Sequence, residues 1–102
     1  MLVASVSFRV QPHKRSEALS AVDSLVQSMR TTAGCARSRI LSDTEDANAF
    51  LIASEWADSG AAEAFFESRE FQIFRGIRIL LRDDPLITFD DIRVRIARLL
   101  RT

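Results

Sequence analysis

The run Ala49–Trp56 limits the folds open to this chain more than any other stretch. With the strand period of two, it sends Phe50, Ile52, Ser54 and Trp56 to one side and Ala49, Leu51, Ala53 and Glu55 to the other. No Gly or Pro interrupts it. A strand with one wet face alternates apolar with polar residues; this one is apolar or small on both, so both faces need cover. Glu55 is the exception, a carboxylate between Ala53 and Ala57 near the end of the strand. Asp58 and Ser59 follow at once as helix caps ahead of Ala61-Ala62-Glu63-Ala64-Phe65-Phe66.

Upstream, Leu2, Ala4, Val6, Phe8 and Val10 alternate with Val3, Ser5, Ser7, Arg9 and Gln11, which predicts a strand with one strongly apolar face. Pro12 ends it and suits the start of a helix. From about His13 to Arg30, Ala18, Leu19, Val22, Leu25, Val26 and Met29 recur at the three- and four-residue steps of a one-faced helix. Gly34 closes that unit, and Cys35–Asp43 reads as a second strand. The short polar stretch Asp43–Asn48 then predicts an antiparallel hairpin with the Ala49 strand.

Downstream, a short helix to about Ser68 precedes a further helix, Glu70 to Leu81, with Phe71, Phe74, Ile77 and Leu81 on one side and Asp83-Asp84-Pro85 as its stop. Leu86 opens a last strand to about Arg95, followed by a short helical tail. The order strand, helix, strand, strand, helix in two pieces, strand is the ferredoxin-like split βαβ arrangement, an α+β fold with a four-stranded antiparallel sheet and helices on one face. One helical layer leaves the second apolar face bare, and a second copy of the chain is the economical cover, giving a dimeric α/β barrel.

Residues 1–102 are short enough to read as a single domain. Fourteen basic and fourteen acidic residues cancel, which argues against a general nucleic-acid or membrane-surface binder. Cys35 has no second cysteine to pair with, and with His13 alone it cannot make a protein-only zinc site. No apolar run is long enough to span a membrane, so the expectation is a soluble, cytoplasmic protein.

Glu55-Trp56 at a strand end, Ser68-Arg69-Glu70-Phe71 between the helices and Gly34-Cys35 at the start of strand two resemble the antibiotic biosynthesis monooxygenase (ABM) domain of the dimeric α/β-barrel superfamily. The resemblance runs from about Leu2 to Arg93. It implies an oxidoreductase, a cofactor-independent monooxygenase acting on a small aromatic of quinol or anthrone type. The alternative is a non-catalytic dimeric module of the same fold that binds a small molecule or has a structural role. The haem-degrading branch of the family uses an Asn, a Trp and an iron-ligating His at positions that this chain, by the resemblance, fills with Ser7, Phe65 and Arg75. Arg cannot ligate iron, so neither haem, nor another cofactor, nor a metal is expected.

A cofactor-free oxygenase has to bind an electron-rich phenol or quinol, assist its deprotonation and stabilise the anion. Glu55 and Ser7 are the catalytic candidates, with Ser5, Ser38, Ser54, Arg37 and Arg39 as further polar groups. Trp56, Phe65, Phe66, Phe74 and Arg75 are the substrate-binding candidates. The plainer alternatives are that Glu55 pairs with an Arg on a neighbouring strand and that the rings are core. Arg75, Arg78 and Arg82 make a basic stripe, by default a solvated helix face. Any pocket is expected inside one subunit between helices and sheet, walled by these rings and Phe50, with Ser5, Ser7 or Glu55 as its polar groups.

Overall fold

The computed structural model describes residues 1–77 and 80–91. In chain order these form β1 (Leu2–Arg9), a 3-10 turn at Pro12–Lys14, α1 (Arg15–Arg30), β2 (Cys35–Ser42), β3 (Ala49–Trp56), α2 (Ser59–Phe66), α3 (Arg69–Gly76) and β4 (Leu86–Asp91). The four strands make one antiparallel sheet in the order β2-β3-β1-β4, the split βαβ topology the element order predicts. The strand expected to run on to Arg95, and the helical tail after it, lie outside the described residues beyond Asp91, as does Arg78.

Alternation decides which residues the helices cover. In β3, Phe50, Ile52, Ser54 and Trp56 are buried while Ala49, Leu51, Ala53 and Glu55 are half-buried. In β1, Ala4, Val6 and Phe8 share the covered side, opposite Ser54, Ile52 and Phe50. Against them α1 buries Ala18, Val22, Leu25, Val26 and Met29, the stripe its spacing predicts. Asp58 caps α2 by accepting from the Ala61 N–H at 2.8 Å, and Ser68 caps α3 by accepting from Phe71 N–H. Gly34 has φ +89°, and a Cβ there would stand 2.5 Å from Ala61 Cβ. Only glycine lets the start of β2 pass this close to α2.

The third helix is shorter than its periodicity predicts. It ends at Gly76 rather than Leu81, and Leu81 instead bridges Val10 in antiparallel fashion. Gln11 N–H donates to Leu80 C=O at 3.0 Å and Arg82 N–H to Arg9 C=O at 2.8 Å. Pairing with the end of β1 supplies partners that a further helical turn would otherwise have provided, and Gly76 is a weak residue from which to continue a helix. Between the Val10–Leu81 bridge and the Ser7–Leu86 pair, β1 advances three residues while the edge segment advances five. The two extra residues break the ladder around Asp83-Asp84-Pro85, a bulge-like interruption at a sheet edge.

Candidate functional site

The aromatic candidates are core. Trp56, Phe65 and Phe74 are 0%, 2% and 3% exposed, and Phe66 is partly buried against them. Ring centroids lie 5.5 Å apart for Trp56–Phe65, 5.6 Å for Phe65–Phe66, 4.8 Å for Phe66–Phe71 and 5.6 Å for Phe71–Phe74. At such spacings the rings contact one another edge-on or tilted and occupy the space where a ligand would have to lie. The indole N–H of Trp56 donates to Ser54 Oγ at 2.9 Å, and Ser54 Oγ donates to the Ala4 carbonyl at 3.3 Å. Ser38 is also buried, its Oγ 3.1 Å from Met29 Sδ. These two serines serve the core's polar groups and do not face a cavity.

The polar candidates lie on the other side of the sheet. Ser5, Ser7 and Glu55 project from the face that the described helices leave open, so the pocket expected between helices and sheet does not bring them to the rings. Nor does it gather Ser7, Phe65 and Arg75. These lie on the open face, in the core and exposed on α3 respectively. Even within the open face, Ser7 and Glu55 are apart. Glu55 pairs with Val3 on β1 and with Arg37 on β2, and four residues from Val3 to Ser7 span about 13 Å.

Of the four cross-strand rows on the open face, the outermost pairs Arg9 with Ala49, and three follow. One holds Leu41, Leu51, Ser7 and Leu86, the next Arg39, Ala53, Ser5 and Thr88, the third Arg37, Glu55 and Val3. Inward from Arg9 it grades from apolar around Ser7 to charged around Glu55. Leu41 and Leu86 are 39% and 63% exposed, an unusual density of bare leucine on one row.

Beside the apolar row, at the end of the sheet, lies a cleft of about 420 Å3 lined by Ser7, Phe8, Phe50, Leu41, Leu51 and Asp43, among others. The Phe8 and Phe50 rings behind it belong to the covered face, where they stack with centroids 5.8 Å apart, Phe74 meets Phe8 edge-on and the Arg15 guanidinium lies over Phe50. At the cleft's rim Arg9 donates to Asp83 at 2.7 Å, and Asp84 lines the cleft next to it. Asp43 Oδ1 accepts from Glu45 N–H and Asp46 N–H, which fixes the β2–β3 turn and the position of that carboxylate. In the sequence Asp43 and Asp83-Asp84 stand only as turn and stop signals; their convergence depends on β1 and the edge segment pairing across some 70 residues of chain. A second groove, about 320 Å3, runs between α1 and α3 past Leu25, Ile73 and Phe74 on the outer side of the helical layer.

Cys35 is half-buried, and its Sγ lies 3.5 Å from the Arg37 carbonyl as a donor. Burial raises its pKa, a hydrogen bond from the Arg37 backbone lowers it and the nearby Glu55 carboxylate raises it, and the net shift is upward. His13 is exposed. Among the described residues no group of three or more His, Cys, Asp or Glu side chains could hold a metal ion, and no helix is long and apolar enough to cross a membrane.

The profile of the family described as antibiotic biosynthesis monooxygenase matches residues 1–76. YcnE of Bacillus subtilis (strain 168), whose name assigns it monooxygenase activity provisionally, is 34% identical over 74 residues, covering 72% of this chain and 78% of that protein. A crystal structure of an antibiotic biosynthesis monooxygenase superposes with a TM-score of 0.81 at 21% identity, covering 89% of this chain and 97% of the other. A conserved protein from Methanosarcina mazei Go1 gives 0.81 at 19% identity, over 87% and 89% of the two chains. A Pseudomonas aeruginosa protein gives 0.73 at 24%, over 87% and 88%. At these identities the three structures speak for the fold alone.

Proposed function

Since the chain belongs to the antibiotic biosynthesis monooxygenase family, we propose that it is a monooxygenase of a small aromatic substrate of quinol or anthrone type, acting as a homodimer. The observation that supports the dimer is the open sheet face. A row of Leu41, Leu51 and Leu86 beside Ala53 and Val3 is the kind of surface that a second copy covers.

The chemistry proposed for an anthrone-like methylene needs no external reductant. A base takes one proton, the resulting anion passes an electron to O2, and carbon and oxygen combine to a peroxide. Loss of water from the peroxide leaves a carbonyl; one oxygen atom stays on the substrate and the other departs with the two methylene hydrogens. Four electrons leave the carbon and four reduce O2. The chain's part is to hold the substrate out of water and stabilise its anion, and Ser7 and Glu55 are the groups proposed to do so. About 13 Å apart, the Ser7 and Glu55 of one chain cannot act on one atom.

That separation favours a second reading, a dimeric module of the same fold that binds a small molecule without turning it over. Oxygen-electrode measurements with anthrone and with a hydroquinone decide between them. The oxygenase consumes one O2 per anthrone oxidised and releases no hydrogen peroxide. Uptake no faster than in buffer, from a protein that light scattering shows to be dimeric, leaves the binding module.

A further inference from the structure

We propose that the cleft at the Ser7 end of the sheet binds a neutral or cationic small aromatic molecule, and that a second copy of the chain on the open face supplies its missing wall. The inference rests on the dimer of the functional reading and places its ligand. The ligand leaves the aromatic core and lies at the sheet end, with Ser7 rather than Glu55 beside it.

Three observations carry it. The cleft's volume of about 420 Å3 falls in the range of roughly 300–1,000 Å3 usual for small-molecule sites. Leu41, Leu51 and Ser7 flank it, with Ala49 beside them on the same open face. Those three flanking residues are also the apolar row of the open face, so whatever seats on that face borders the cleft. In the single chain the cleft opens to solvent, whereas ligand sites of this kind usually bury most of the ligand's surface.

Charge sets the ligand class. Among the described residues, Asp43 and Asp83 line the cleft together with Arg9, which already engages Asp83 at 2.7 Å. A carboxylate or phosphate entering there meets an excess of like charge while losing its water. A phenol, a neutral arene or an amine does not. The two extra residues in the edge segment are what bring Asp83 and Asp84 to this end of the sheet.

The test uses 2-naphthol as the neutral probe and 2-naphthoate as its anionic counterpart, followed by amide chemical shifts in titrations of the full chain, with light scattering on the same samples. The expected result is shifts at Ser7, Leu41 and Leu51, and at least about tenfold tighter binding of the naphthol. Ala49→Trp, on the open side of β3 and in the cleft lining, fills the cleft; it is expected to keep the dimer mass and weaken naphthol at least about tenfold. Ala53→Arg lies on the open face outside the cleft lining; it is expected to give a folded monomer that also loses naphthol. Should that variant fail to fold, Thr88→Arg, exposed on the same face, replaces it. Equal affinity for the two probes, undiminished binding by a monomeric variant, or shifts along Leu25 and Ile73 instead would each overturn the proposal. A dimer that does not bind naphthol overturns the cleft and leaves the dimer reading standing; a monomeric parent overturns both.

Discussion

The two faces of the sheet are built from the same strands and differ in almost everything else. On the covered face large rings and branched chains meet α1, α2 and α3, and the buried hydroxyls of Ser38 and Ser54 have partners within the core. On the open face the residues are short, hydroxylated or charged, with leucines gathered in one row. The covered face has used its chemistry to hold the fold together. The open face has kept groups able to meet something else, so a search for function belongs there and at its edge.

Substitutions on the two faces sharpen that contrast. Trp56→Ala removes a fully buried ring and its contact with Phe65; the expected loss is about 3–5 kcal/mol in urea unfolding. A loss under about 1 kcal/mol would mean that the covered face is not the stabilising one.

Ser54→Ala on the same face removes the acceptor for the buried indole N–H and is expected to cost about 1–3 kcal/mol. Trp56→Phe in that background should recover part of the loss, because no indole N–H then remains unsatisfied; simple additivity of the two changes would break the hydrogen-bond account.

On the open face, Thr88→Arg is expected to leave the far-UV circular dichroism unchanged while light scattering falls from twice the 11.5 kDa chain mass to once that mass. The fold of the single chain is expected to change by no more than about 0.5 kcal/mol, as at other exposed sites. An unaltered dimer mass would place the interface elsewhere.

The smallest effect is expected at Cys35, at the start of β2 beside both the core and Glu55. Its folded pKa is raised, so the protonated thiol is favoured by folding. The contribution is complete below the unfolded pKa and disappears as pH climbs through the folded one. Its reaction with a disulfide reagent, followed against pH, should therefore rise with a midpoint above that of an unfolded control. A midpoint below the control would make Cys35 an activated thiol.

Much of this was legible in the residues. The alternation of Ala49–Trp56 gave both of its faces, the spacing of Ala18, Val22, Leu25, Val26 and Met29 gave the buried side of α1, and Asp58 announced the cap of α2. The placing of Ser5, Ser7 and Glu55 among the rings went against the same alternation, which sets Glu55 opposite in direction to Trp56. The helical spacing of Phe71, Phe74, Ile77 and Leu81 was real, yet Leu81 went to Val10 because the end of β1 needed a partner.

The sequence by itself determined the strands, the helices, their apolar sides and the family, since period, capping and turn chemistry act over a few neighbouring residues. Tertiary structure alone decided which face the helices cover, that Glu55 stands beside Val3 rather than Ser7, and that Asp43 and Asp83 meet Arg9 at one cleft. Those are matters of register between distant segments. Register is fixed by the packing of the whole sheet, so no local pattern of residues records it.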